Sequence, residues 1–387
     1  MCIVSHSHQK FIDRTLVSSI MDSLEENYNM STEEEGLLRV MQINGGIVLP
    51  MVIKTAIELD LFEIMAKTPN GQFSSFDLAS SLPSQNPETP ALLERILRFL
   101  ASQSILTSTL VTDETGNSKK LYGMTPLSNN YVRSQDGTSH ASTVLLICDK
   151  ILVDCWYHLK DAVVEGGIPF NKAHGVNAFE YHAMDNRYNQ VFNKSMYDNT
   201  TIVMKMILGK YKGFEGVKEL VDVGGGLGAN LEIIVSNYPN IKGINFDLPH
   251  VIKDAPSSLG VEHVGGDMFE SVPNGDVIFM KWILHDWGDS YCSKLLKNCW
   301  AALPESGKVV VVEAIIPDTE NHPSDTTAND VSKAAMGGDM IMLIANPGGK
   351  ERTIKEYNTL AKEAGFTSLK IVCRVSMFSI MEFYKNA

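Results

Sequence analysis

The sequence predicts an α/β protein: a mostly parallel sheet ending in an antiparallel hairpin, preceded by a smaller helical domain. Two observations carry this. From Lys218 onward, short apolar strand signals (VKELVDVGG, IKGINFD, VEHVGGD, DVIFMKW, KVVVVEAII) alternate with helical stretches such as NLEIIVSNYP and YCSKLLKNCWAAL. Strand–helix alternation of this kind builds a parallel sheet with crossover helices. After the helix IKEYNTLAKEAGF, the strands SLKIVCRV and SMFSIMEFYK follow one another with no helix between them, which puts an antiparallel hairpin at the sheet edge.

The elements before the sheet are read in order. Residues 1–28 show no clean period; residues 1–30 are expected to be a disordered leader, with Met30 a possible alternative start. From Glu35 to Ala66, Leu37, Leu38, Val40, Met41, Ile43, Ile53, Ala56, Ile57, Leu59, Leu61 and Ile64 follow a helical period. Pro50 suits the start of a second helix there. SSFDLASSLP is a short helix begun by Ser74 or Ser75, and PALLERILRFLASQSIL a strongly amphipathic one. ILTSTLVTDETGNSKKLYGMT reads as two strands around a turn rich in Asp, Gly and Asn. Helices followed by a hairpin form a winged-helix-like arrangement, so residues 31–135 are assigned to that domain. Residues 136–387 hold a helical linker region to about 215, then the α/β domain.

Composition excludes several functions. The 387 residues are 44% hydrophobic and 20% charged, a globular balance. A net charge of −13 disfavours nucleic acid and anionic membranes, and the hairpin offers only Lys119 and Lys120. No stretch approaches the ~18 apolar residues of a membrane span. The first residues lack the basic and apolar regions of a signal peptide. Six scattered cysteines without a C-x-x-C pair read as reduced thiols in a cytoplasmic protein and make zinc an unattractive reading.

Three constellations carry chemistry. In VDVGGGLGAN, Gly224, Gly225, Gly226 and Gly228 follow a strand and precede a helix, where glycine permits a sharp turn and the close approach of a ligand. Asp247 ends the next strand and can accept hydrogen bonds from both hydroxyls of a ribose. Read as Gly224, Gly226, Ala229, the motif also fits a dinucleotide, which leaves an NAD-dependent oxidoreductase as the alternative enzyme. Asp267 and Met268 follow the next strand, where they can hold an adenine. With the terminal hairpin, they favour a methyltransferase sheet that binds S-adenosylmethionine over a dehydrogenase. The non-enzymatic alternative is a winged-helix binding protein.

The second constellation is FMKWILHDWGD. Lys281 and Trp282 end the fourth strand, and His285 and Asp286 occupy the next turn, at the edge where such sheets bind ligands. The third is a pair of acids, Glu313 ending strand five and Glu351 in NPGGKERT, each placed to hold the His285 imidazole. A capping box from Thr353 to Glu356 fixes the second loop.

Taken together, LVDVGGGLG, KGINFDLPHVI, VEHVGGDMFE, MKWILHDW, NPGGKERT and IMEF resemble the plant caffeic acid/catechol-type O-methyltransferases, from about Glu35 to the C-terminus. The resemblance implies a Rossmann-like methyltransferase domain, a homodimer built by the N-terminal domain, S-adenosylmethionine as donor with S-adenosylhomocysteine as product, and no metal. It makes His285 the catalytic base, with Glu313 and Glu351 flanking it. It assigns Gly224, Asp247, Leu248, Asp267, Met268 and Lys281 to the cofactor. It assigns His182, Tyr188, Phe192, Met196, Trp282, Asp286, Met342 and Asn346 to the acceptor. The family more often has Phe where Tyr188 stands. It also has LLMNQDK where this chain reads LLICDK, with Ile147 and Cys148 in place of the amide. That departure points to an alkaloid catechol as acceptor, with a phenylpropanoid such as caffeic acid next.

Overall fold

The computed structural model describes residues 31–68, 71–318 and 330–386. The expected leader, residues 1–30, lies outside them. The chain divides after Val52 into two compact units. In the first, Ser31 and Glu34 form a capping box that starts the helix Thr32–Asn44. A second helix, Val48–Glu58, begins close to the division. Pro50 is its third residue, where a missing N–H costs no intrahelical bond.

The second unit opens with helices and a small sheet. Ser74 and Asp77 cap the helix Ser75–Ser80 reciprocally. Helix Thr89–Ser102 buries Leu93, Leu97 and Leu100 along one face. The hairpin read from the sequence is present: β2 (Leu106–Thr112) pairs with β3 (Ser118–Met124). At its tip Asp113 accepts the N–H groups of Thr115 and Asn117, each at 2.9 Å. A third strand, β1 (Gln72–Phe73), joins β3 and was not legible in the periodicity. Six helices then run from Ala141 to Lys210, the last a 25-residue helix from Asn186. Among the described residues, no single helix is long and apolar enough to cross a membrane.

The large sheet holds β4 (Glu219–Val223), β5 (Lys242–Asp247), β6 (Val261–Gly265), β7 (Val277–Lys281), β8 (Lys308–Ala314), β9 (Ser368–Val375) and β10 (Phe378–Tyr384). Their order is β6-β5-β4-β7-β8-β10-β9. The first five are parallel, and the terminal hairpin is antiparallel. Because β10 rather than β9 pairs with β8, the last strand is interior and the one before it forms the edge.

Alternation sorts the apolar residues into two cores, one on each face. Val221, Val223, Ile278, Met280, Val309 and Val311 meet helices Asp289–Ala302 and Ile354–Glu363. Leu220, Val277, Phe279, Val310 and Val312 meet helices Asn186–Lys210 and Ala229–Asn237. Strand order reverses between β4 and β7. The loops leaving their carboxyl ends therefore diverge and leave a crevice there.

Candidate active site

The glycine turn and the His285 turn flank that crevice. Strand β7 is buried along its whole length, so its register is set by packing on both faces. It ends at Lys281. Trp282 then adopts φ +60°, a left-handed conformation rare for a bulky side chain and a store of strain. The turn is held open by Glu313 on the neighbouring β8, whose Oε1 accepts the N–H of Ile283 and of Leu284, both at 2.9 Å. A single 3-10 turn, Leu284–Asp286, then presents His285.

Glu351 reaches the same place on the loop between helix Asp330–Ala345 and helix Ile354–Glu363. Lys350 donates its N–H to the His285 carbonyl at 2.9 Å, joining the two loops. Gly349 lies so close that a Cβ would stand 2.8 Å from that carbonyl. Arg352 is fully buried. Its guanidinium donates to the carbonyls of Leu284 and Trp287, both at 2.7 Å, and to Asp289 at 2.8 and 3.0 Å. The capping box of Thr353 and Glu356 is formed.

The two glutamates take different roles. His285 Nδ1 lies 2.9 Å from Glu351 Oε1 and 3.6 Å from Glu313 Oε2. A carboxylate only accepts, so Nδ1 carries a proton in both forms of the ring, and Nε2 is the nitrogen that gains or loses one. Nε2 lies 3.6 Å from Asp286 Oδ1, which Asn346 Nδ2 holds at 2.5 Å. Burial by itself would lower the His285 pKa. Glu313, Asp286 and Glu351 outweigh that and raise it to about 10. Burial also raises the carboxyls of Glu313 and Asp286, against the pull of the imidazole.

On the glycine side, Gly224, Gly226 and Gly228 all have positive φ, at +70°, +59° and +93°. A Cβ on Gly224 would meet Ile283 at 2.4 Å, so the two turns touch and only glycine fits. A Cβ on Gly226 would meet nothing within 4 Å: the space above it is open. Asp247 Oδ2 accepts the Gly226 N–H at 2.8 Å, and its Oδ1 accepts the Leu248 N–H at 2.7 Å. Each oxygen keeps a lone pair for a ligand. Leu248 and Asp267 are exposed beside it, at the carboxyl ends of β5 and β6. Met268 packs partly into the core. This arrangement fits a nucleoside-bearing cofactor. Lys281 differs from the others. It is buried, its amine stands 3.1 Å from the centre of the Trp282 ring, and burial lowers its pKa to about 7.

The residues expected at the acceptor fall into two groups. Helix Ala178–Met184 and the start of helix Asn186–Lys210 bring His182 against Tyr188 and Phe192, with ring centres 5.5 and 4.3 Å apart. Met196 follows one turn later, half-buried. Met342 and Asn346 join Asp286 beside His285; Asn346 Nδ2 also reaches Met342 Sδ at 3.4 Å. Phe179 stacks on Trp287 at 5.8 Å and links the aromatic group to the His285 loop. Phe179 was not singled out from the sequence. Nor was the role of Arg352, though an Arg beside the loop glycines was visible. Ile147 is exposed and Cys148 buried, at the end of helix Ala141–Ile147.

Comparison with known proteins fits this geometry. Residues 156–367 match the O-methyltransferase domain, and residues 41–134 match the O-methyltransferase dimerisation domain. Caffeic acid 3-O-methyltransferase 1 of Populus kitakamiensis is 55% identical over 92% of this chain and 96% of its own length. The caffeic acid 3-O-methyltransferase of Prunus dulcis is 56% identical over the same shares. In fold, the chain resembles human N-acetylserotonin methyltransferase solved with S-adenosylmethionine. The TM-score is 0.75 at 23% identity, over 92% of this chain and all of that one. The chain belongs to the O-methyltransferase family: it is an S-adenosylmethionine-dependent O-methyltransferase.

Proposed function

We propose that this enzyme methylates a phenolic hydroxyl of a phenylpropanoid catechol such as caffeic acid, with His285 as general base. The observation that carries the reading is the His285 imidazole, held at Nδ1 by Glu351 with Nε2 beside Asp286, on the turn that flanks the crevice next to the glycine turn. The caffeic acid enzymes among its relatives support the phenylpropanoid. This reverses the order expected from Ile147 and Cys148, since no other feature favours an alkaloid. The chain acts as a homodimer through residues 31–135, with residues 136–387 as linker and catalytic domain. Helix Thr32–Asn44 supports that reading, because it carries Leu37, Leu38, Met41 and Ile43 exposed.

Bound adenosylmethionine supplies a methyl on a sulfonium. Gly226 and Asp247 would hold its ribose end, and Asp267 and Met268 its adenine. His285 takes the acceptor's proton at Nε2. Moving a proton from a phenol near ~10 to an ordinary imidazole near ~6.5 climbs ~5 kcal/mol. Glu313, Asp286 and Glu351 remove most of that climb by favouring imidazolium. Met and aromatic side chains exclude water that would stabilise the separated charges. No metal is required, although His285, Glu313 and Glu351 bring ligand atoms within 4.8 Å of one another. The proton between Nδ1 and Glu351 fills the position a cation would take.

The test is turnover, with and without a chelator, against caffeic and 5-hydroxyferulic acids, a flavonoid catechol and a benzylisoquinoline catechol, with products read by mass. A gain of one methyl on the phenylpropanoids, unchanged by the chelator, is expected. Methylation of the alkaloid alone would overturn the acceptor class, and loss on chelation the metal-free mechanism.

Two variants test the residues. Asp247→Ala is expected to raise the Kd for adenosylmethionine about tenfold, the scale of one charge-assisted hydrogen bond, measured by calorimetry. An unchanged Kd would remove Asp247 from the cofactor site. Glu351→Gln takes away one of the charges that raise the His285 pKa. The imidazole then loses its proton at lower pH, so the acid limb of kcat/KM moves down by about one unit or more. The plateau falls as well, because the base is weaker. A limb that stays in place would show that Glu351 does not set the titration.

A further inference from the structure

Beneath the glycine turn runs a row of polar side chains that the reaction as described does not use. Parallel registry places Asp222 of β4 beside Asn245 of β5, and Asn245 beside His263 of β6. Asn245 is fully buried. It shares a face of β5 with Asp247, two residues on. Its Nδ2 donates to the Gly226 carbonyl at 2.9 Å and lies 3.1 Å from His263 Nδ1. His263 Nε2 lies 2.9 Å from the Pro256 carbonyl, which can only accept, so Nε2 carries the proton. Nδ1 is therefore an acceptor, and Asn245 spends both amide hydrogens, one on His263 and one on Gly226.

The opposite amide orientation would set two oxygens face to face at Gly226. The present one leaves Asn245 Oδ1 buried without a partner. A buried unpaired acceptor is costly, so the arrangement is held by what Nδ2 does. Gly226 is thus gripped from both ends. Its N–H goes to Asp247 Oδ2 at 2.8 Å, and its carbonyl goes to Asn245.

We propose that His263 is a positioning residue for the cofactor: it orients the Asn245 amide, which fixes the Gly226 peptide in its left-handed conformation beneath the open space above the turn. This rests on the reading that the glycine turn holds adenosylmethionine. His263 acts on donor binding alone and leaves the His285 chemistry untouched.

The experiment compares wild type, His263→Phe, His263→Gln and Asp247→Ala. Kd for adenosylmethionine comes from calorimetry, kcat and both KM values come from turnover of caffeic acid, and melting temperature is recorded for each. Phe removes both ring nitrogens; Gln restores an acceptor and a donor at similar separation. His263→Phe is expected to raise Kd and KM for adenosylmethionine about tenfold. Its kcat at saturation and its KM for caffeic acid should stay within about twofold. His263→Gln should recover to within about threefold of wild type. If Gln is as impaired as Phe, or if Phe lowers kcat and melting temperature together, the ring serves packing and the proposal fails. If Asp247→Ala weakens binding and His263→Phe does not, the proposal fails while the cofactor reading stands. If neither variant weakens binding, the cofactor reading itself is overturned.

Discussion

His285→Ala is expected to bind adenosylmethionine with near wild-type affinity and to lose ~10²–10⁴-fold in kcat, the usual worth of a positioned general base. The reason is spatial. His285 stands on the turn after β7, and the glycine turn stands after β4, so the donor site keeps every residue it uses when the imidazole goes. What remains is the alignment of donor and acceptor, which still accelerates the reaction. The measurement is single-turnover methyl transfer beside a binding titration. Wild-type turnover would remove His285 as the base, and a matching loss of cofactor affinity would make it a structural residue.

Arg352→Met is expected to lower stability by ~2–5 kcal/mol and turnover with it. The guanidinium is fully buried and ties down the carbonyls of Leu284 and Trp287, on either side of His285. Methionine fills similar volume but donates nothing, so each carbonyl loses its charge-assisted donor at ~1–3 kcal/mol. Leu284 keeps the Trp287 N–H, and the weak Cys292 thiol is shared between the two carbonyls. Asp289 is largely exposed and can turn to water, which keeps the cost below that of a stranded buried charge. Arg352→Lys keeps the charge without the fork and should fall between the two. Urea unfolding followed by intrinsic fluorescence checks this. A wild-type midpoint in Arg352→Met would show that the loop is held by other contacts.

Much of the site was legible because its parts obey local rules. Glycine clusters mark left-handed turns, and the φ values of Gly224, Gly226 and Gly228 bear that out. Acids at strand ends fall on one edge of a parallel sheet, which is how Asp247, Asp267 and Glu313 were found together. The capping box at Thr353 needed only its own four residues. Other features depend on distant segments and leave no periodic trace. Which glutamate bonds to His285 depends on how the loop carrying Glu351 folds back, and that loop is set by the buried Arg352. The interior place of β10 is a matter of pairing, since either strand of a hairpin has the composition to lie next to β8.

By itself the sequence determined the class of sheet, the terminal hairpin and the glycine turn, because turn chemistry and side-chain alternation are local. Only the tertiary structure decided what those residues touch. It divided the work of the glutamates, leaving Glu313 to hold the backbone of the turn and Glu351 to hold the imidazole. It buried Lys281 over an indole. It aligned Asp222, Asn245 and His263 in one row under the glycines. Each of these depends on strand registry and on the path of loops far apart in the chain, and packing of both sheet faces sets the two together.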